Sequence, residues 1–84
     1  MSTTTCFVYV LQSTVDARRH YVGLTNDVAR RLASHNSGGS RHTAPLRPWR
    51  LIVSLQFENP DSALAFEKYL KTGSGRAFAK RHFV

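Results

Sequence analysis

The chain has 84 residues, room for one domain and not for two. Its 12 lysines and arginines stand against 5 acids, a net charge of +7 that points to polyanionic partners and away from acidic or neutral ones. One cysteine, Cys6, excludes an internal disulfide framework, and no apolar run is long enough to cross a bilayer. Met1 to Thr5 carries no positive charge ahead of a short apolar run, unlike a secretory leader, so the expected compartment is the cytoplasm, with no membrane partner.

Residues 1–5 read as a polar, disordered tail, and 6–84 as a single domain. Cys6 to Leu11 alternates Phe7, Tyr9 and Leu11 with Cys6, Val8 and Val10; both sets are apolar, which predicts a central strand covered on each side. After the polar Gln12–Arg19 connection, His20 to Leu24 predicts a second strand. The short connection makes the pair an antiparallel hairpin. Gly23 marks a bend or a close backbone approach.

Thr25 or Asn26 is expected to cap a helix, with Asp27 in its first turn. A helical wheel puts Val28, Ala29, Leu32 and Ala33 on the buried stripe, Arg31 and His35 at its edge, and Arg30 in solvent. Asn36 to Arg47 reads as a loop through Gly38, Gly39 and Pro45, carrying Arg41, His42 and Arg47. Trp49 to Phe57 is the clearest strand, its odd positions facing the core.

Asn59, Pro60 and Asp61 open the next helix, on which Ala63, Phe66, Glu67 and Leu70 fall at i, i+3, i+4 and i+7. Glu67 therefore sits in or beside an apolar stripe. It is either one half of an ion pair with Lys71 or a functional carboxylate, and its position alone leaves both readings open. Ser74 is expected to cap a last helix from Arg76 to Phe83, where Lys71, Arg76, Lys80 and Arg81 make a stretch without acids. That stretch is either a solubilising surface or a backbone-tracking patch.

Several chemistries are absent. Four histidines and one cysteine, scattered, give no zinc spacing, and no nucleophile elbow or metalloprotease helix occurs. One midhelical acid argues against a two-metal site. What remains is chemistry on a phosphodiester: Arg31 to stabilise developing charge, a tyrosine held below its usual pKa by neighbouring cations to take a proton, and Glu67 to hold one hard cation.

These residues resemble the GIY-YIG endonucleases. Phe7-Val8-Tyr9 matches the first motif and Tyr21-Val22-Gly23 the second; Arg31 follows ten residues after Tyr21, His35 one turn later, and Glu67 on a later helix. Phe7 replaces a glycine, Val8 and Val22 replace isoleucines, and Leu24 stands where some members have lysine. The resemblance spans Phe7 to about Phe83 and is similar to the small stand-alone bacterial branch and to structure-specific nucleases. It implies an α+β fold with a small three-stranded antiparallel sheet flanked by helices. It further implies hydrolysis of DNA with one Mg2+ or Mn2+ on Glu67, in repair or recombination.

By the same resemblance Tyr21 is the favoured general base, Tyr9 orients the water or contacts the phosphate, Arg31 stabilises the pentacovalent state, and His35 supports the phosphate or shuttles a proton. Arg30, Arg41, His42, Arg47, Lys71, Arg76, Lys80 and Arg81 are the expected nucleic-acid contacts. The alternative is a nucleic-acid binding module on the same fold with little or no catalysis. RNA as substrate, a protein partner that supplies targeting, and the oligomeric state all stay open.

Overall fold

The computed structural model describes residues 5–84, so the expected tail, apart from Thr5, lies outside the described residues. Apolar side chains on both faces of β1 (Cys6–Ser13) put it at the centre of a sheet ordered β2-β1-β3, with β2 spanning His20–Thr25 and β3 spanning Trp49–Phe57. Both pairings are antiparallel. The hairpin expected from the short connection is present, with β1 two residues longer than expected because Gln12 and Ser13 still pair with His20, Arg50 and Trp49. The remaining elements are α1 (Val28–Asn36), a 3-10 turn at Ala44–Leu46 inside the expected loop, α2 (Pro60–Leu70) and α3 (Gly73–His82). The α+β class and the three-stranded sheet agree with the sequence reading.

Register assigns each side chain to a face. Val8 lies opposite Leu24 and Leu55, and Val10 opposite Val22 and Val53; this face carries α2 and α3, with Ala63, Phe66 and Leu70 packed on it. Tyr9 lies opposite Gly23 and Ser54, and Leu11 opposite Tyr21 and Leu51; this face gathers Trp49, Leu32 and Leu46. A bulge in β3 separates Val53, opposite Val10, from Leu51, opposite Leu11. The odd positions of β3 therefore do not share one core. Val53 and Phe57 pack on the α2 side and Trp49 on the other, while Ile52, expected to point away, joins the α2-side cluster.

Three local expectations change. Asp27, not Thr25 or Asn26, is the N-cap of α1, its carboxylate accepting from the Arg30 N–H at 3.0 Å. The inward stripe of α1 is Val28, Leu32 and His35, while Ala29 and Ala33 are exposed. Thr72, not Ser74, caps α3 by accepting from the Gly75 N–H at 3.1 Å. Gly75 is buried at that corner, where a Cβ would collide with the Tyr69 carbonyl. The cap at Asn59 with Pro60 in the first turn of α2 stands as expected.

Candidate functional site

The cross-strand pairing of Tyr9 with Gly23 builds the floor of the site. A Cβ at position 23 would overlap the Tyr9 phenol, so the glycine opens the space in which that ring lies across β2. Tyr21, beside it on the same face, has its ring centroid 6.1 Å from that of Tyr9. His35, from α1, closes the group with its ring 5.9 Å from Tyr9 and 4.8 Å from Tyr21.

Behind the tyrosines runs a buried chain of hydrogen bonds. The Tyr9 hydroxyl is 2.9 Å from His35 Nε2, and His35 Nδ1 is 2.7 Å from Thr43 Oγ1. Thr43 Oγ1 donates to the Ser40 carbonyl at 3.4 Å, which leaves its lone pairs to accept from His35 Nδ1–H. His35 is then neutral with a bare Nε2, and that nitrogen accepts from the Tyr9 hydroxyl. This assignment also leaves the Tyr9 oxygen lone pairs for the Arg31 guanidinium, which has only donors to offer. Tyr9, His35 and Thr43 are all essentially inaccessible, at 1%, 0% and 2% exposure.

Loop anchors hold the chain in place. The Trp49 indole donates to the Thr43 carbonyl at 2.8 Å, and the Asn36 side chain pairs with both backbone groups of Trp49, at 2.6 and 3.0 Å. The Ser13 hydroxyl donates to the Leu46 carbonyl at 2.6 Å. These contacts tie the segment between α1 and β3 to the sheet.

The charges respond to this packing. Burial raises the Tyr9 hydroxyl above its usual 10.0, the Arg31 guanidinium pulls the other way, and Tyr21 adds to the rise. For Tyr9, loss of solvent outweighs the single guanidinium beside it. Tyr9, and then Tyr21, push Arg31 up, so its charge is secure. Burial, and then Arg31, hold His35 below its usual 6.5, in line with a neutral imidazole.

Exposure divides the roles. Arg31 is exposed and Tyr21 half-buried; a polar recess of about 370 Å3 lined by Arg31, Arg30, Ser34 and Thr25 to Asp27 opens beside Arg31, while Tyr21 lines a separate groove. Tyr9 is too deep to touch a phosphate in this structure, and both His35 nitrogens are used inside the protein. Tyr9 and His35 thus lie buried behind Arg31 and Tyr21, bonded to each other. Thr43 was not among the sequence candidates. A hydroxyl eight residues from a histidine and across a loop carries no pattern that singles it out.

Glu67 stands apart. None of the polar or ionic contacts of Tyr9, Tyr21, Arg31 and His35 includes it. It lies on α2, which covers the other face of the sheet, with its side chain 12% exposed and paired to Lys71 one turn on. Among the described residues no group of three or more histidines, cysteines and acids comes together. Of the expected nucleic-acid contacts, Arg30 lines the recess, and Lys71, Arg76 and Lys80 line a groove on the α2 side. Arg41, His42, Arg47 and Arg81 are exposed elsewhere. Among the described residues no helix is long and apolar enough to cross a membrane.

The chain is similar to known proteins. The GIY-YIG catalytic domain matches residues 5–81. A UPF0213 protein of Cupriavidus necator is 40% identical over 76 residues, covering 86% of this chain and 80% of that protein. The structure-specific endonuclease subunit SLX1 homolog of Giardia intestinalis is 38% identical over 66 residues, which are 74% of this chain and 18% of that much longer protein. The solution NMR structure of a UPF0213 protein from Bacillus halodurans aligns with a TM-score of 0.56 at 31% identity, over 90% of this chain and 80% of that one.

Proposed function

The chain belongs to the GIY-YIG family, and from that premise we propose that it is an endonuclease that hydrolyses phosphodiester bonds in DNA, acting in repair or recombination. The observation that carries the reading is the cluster itself: an exposed guanidinium at a polar recess, and a half-buried Tyr21 whose ring packs on His35 of a buried Tyr9–His35–Thr43 chain. A surface arginine beside two tyrosines would not require a neutral, fully buried histidine behind it. The name of the SLX1 relative, a structure-specific endonuclease subunit, supports endonuclease chemistry and leaves a place for a protein partner.

In this reading the scissile phosphate enters the recess beside Arg31. Water attacks phosphorus and gives a proton to the ionised Tyr21 oxygen. The bond from phosphorus to the leaving sugar oxygen breaks, and that oxygen takes a proton from bulk water. The charge that gathers on the phosphate oxygens is met by the Arg31 guanidinium. Tyr9 gives its hydrogen bond to His35, and the Arg31 charge acts on its oxygen from nearby. His35 is the nearest group able to accept the Tyr9 proton.

A divalent cation has one candidate anchor. Glu67 offers a hard carboxylate, and Mg2+ commonly takes one or two carboxylates and completes its shell with water and substrate phosphate. The Lys71 pair has to open first. When bound, such an ion neutralises phosphate charge and acidifies water.

The second reading is a binding module without cleavage, favoured by the Glu67–Lys71 pair and by the separation of Glu67 from the other four residues. Incubation with plasmid and branched DNA in Mg2+ or Mn2+, with Arg31→Ala and Glu67→Ala alongside, tests both. Cleavage lost in both variants while binding persists supports the enzyme, and binding without cleavage in any metal supports the module.

A further inference from the structure

We propose that the open edge of β2 and the cationic groove beside it dock a partner protein, which enters as an extended acidic segment with aliphatic side chains and adds a fourth strand to the three-stranded sheet. No part of this depends on the nuclease reading.

The order β2-β1-β3 leaves β2 at an edge. From His20 to Leu24 its backbone bonds only to β1, so the outward N–H and carbonyl groups of that run have no partner among the described residues. An open edge takes up an added strand unless something blunts it. β2 holds no lysine, no proline and no bulge. The opposite edge differs: β3 carries the bulge, and the Asn36 side chain covers its first residue.

The groove, of about 920 Å3, reaches this strand. His20, Tyr21 and Val22 all line it; their side chains alternate between faces, so the groove meets the backbone of β2 as well as its side chains. No Asp or Glu lines it, and Arg19, Arg76 and Lys80 on its walls have no carboxylate partner among the described residues. Arg76 and Lys80 stand one turn apart on α3. Between the walls lie Val22 and Ala79, both half-buried.

Edge, charge and floor together favour a peptide over a nucleic acid. A strand edge presents donors and acceptors by turns. The DNA backbone has acceptors only and leaves the β2 carbonyls unmet, whereas a peptide backbone meets both. Val22 and Ala79 give a base no ring to stack on, but they fit a valine or leucine side chain. In an added strand every second residue points into the groove, so aliphatic residues at such positions reach the floor and acids at the others reach Arg19, Arg76 and Lys80.

The test uses the fluorescein-labelled peptide Thr-Glu-Thr-Val-Thr-Glu-Thr-Val-Thr-Glu, which sets Glu and Val by turns on one face. A second peptide carries serine for both valines at the same charge, and a 12-nucleotide oligothymidylate is the nucleic-acid probe. Each is titrated against wild type and the double variant Arg76→Ala with Lys80→Ala, and backbone hydrogen exchange is followed by NMR. The valine peptide is expected to bind wild type about tenfold more tightly than the serine peptide, and to lose about tenfold in the double variant. At ten times its dissociation constant it slows every second amide from His20 to Leu24 by about tenfold, because those amides exchange only from the free protein. Equal binding of the two peptides, an unchanged affinity in the double variant, or β2 amides that exchange as before overturns the proposal. So does oligothymidylate slowing those amides when the peptide does not, which makes the groove a nucleic-acid site. Because no cleavage is read, a protein that takes the peptide but never cuts DNA ends the nuclease reading and leaves the docking edge standing; one that cuts but ignores the peptide does the reverse. Both substituted residues are exposed, and matching circular dichroism spectra show that the double variant is folded.

Discussion

Thr43→Val removes one hydroxyl from behind the site and keeps the side-chain shape. That hydroxyl is buried and accepts from His35 Nδ1–H at 2.7 Å. Without it a buried N–H has no acceptor, which costs about 1–3 kcal/mol. In a domain of this size each kcal/mol lowers the melting temperature by roughly 4–8 °C. His35 escapes part of the cost by moving its proton to Nε2, but Nε2 then donates to Tyr9, and the Tyr9 hydrogen loses its acceptor and competes with Arg31 for the same space. The expected results are a melting temperature at least about 4 °C lower, a tautomer change in 15N-detected imidazole correlations, and a kcat about tenfold lower with KM unchanged, since tenfold is about 1.4 kcal/mol of transition-state contact. Thr43→Ser restores most of each. A wild-type His35 found as the Nε2–H tautomer, or a Thr43→Val protein that melts and titrates like wild type, refutes the hydrogen-bond chain.

Four further outcomes are expected. Gly23→Ala drives a methyl into the Tyr9 phenol and destabilises by about 1–3 kcal/mol, read by urea unfolding, with the Tyr9–His35 bond lost in the NMR spectrum. Arg31→Ala lowers kcat by about 100- to 1,000-fold, as loss of one charge-stabilising donor does, with little change in melting temperature because Arg31 is exposed. For pH, His35 has its folded pKa depressed below 6.5, so the unfolded chain binds more protons as pH falls. This contribution to stability is complete above about pH 6.5 and declines as pH drops towards the folded value, and thermal melts from pH 5 to 8 should show the decline shrink in His35→Gln. For metal, Mg2+ or Mn2+ raises the melting temperature of wild type, Lys71→Met shifts the midpoint to lower metal concentration by freeing the carboxylate, and Glu67→Gln abolishes the effect; an equal shift in all three assigns the metal elsewhere.

What could be read from the sequence was set by period and capping. Alternation along Phe7 to Leu11 gave the central strand, and Asn59-Pro60 gave the start of α2, because each signal is local. His35 was placed at the edge of its stripe because an apolar wheel counts Ala29 and Ala33 as inward and a histidine as outward. The helix instead turns Val28, Leu32 and His35 to the sheet, since the imidazole finds partners for both nitrogens there and two alanines lose little by staying in water. The i,i+4 spacing of Glu67 and Lys71 is the same for an ion pair and for a metal anchor, so no pattern in the sequence separates those roles. The place of Thr43 depends on a loop path, and loops carry no period.

The bulge in β3 was equally silent in the sequence, and the site depends on it. With unbroken alternation Trp49 would share the face of Val53 and Phe57, on the α2 side. The extra residue at Ile52 reverses that parity, so Ile52 joins the α2-side core and Trp49 turns to the face of Tyr9 and Leu11. From there the indole holds the Thr43 carbonyl, and Asn36 clips the end of α1 to the Trp49 backbone. Thr43 is thereby fixed behind His35, and His35 behind Tyr9. A register shift of one residue at Ile52, two positions from Tyr9's own partner Ser54, is what turns Trp49 towards Thr43 and encloses the imidazole.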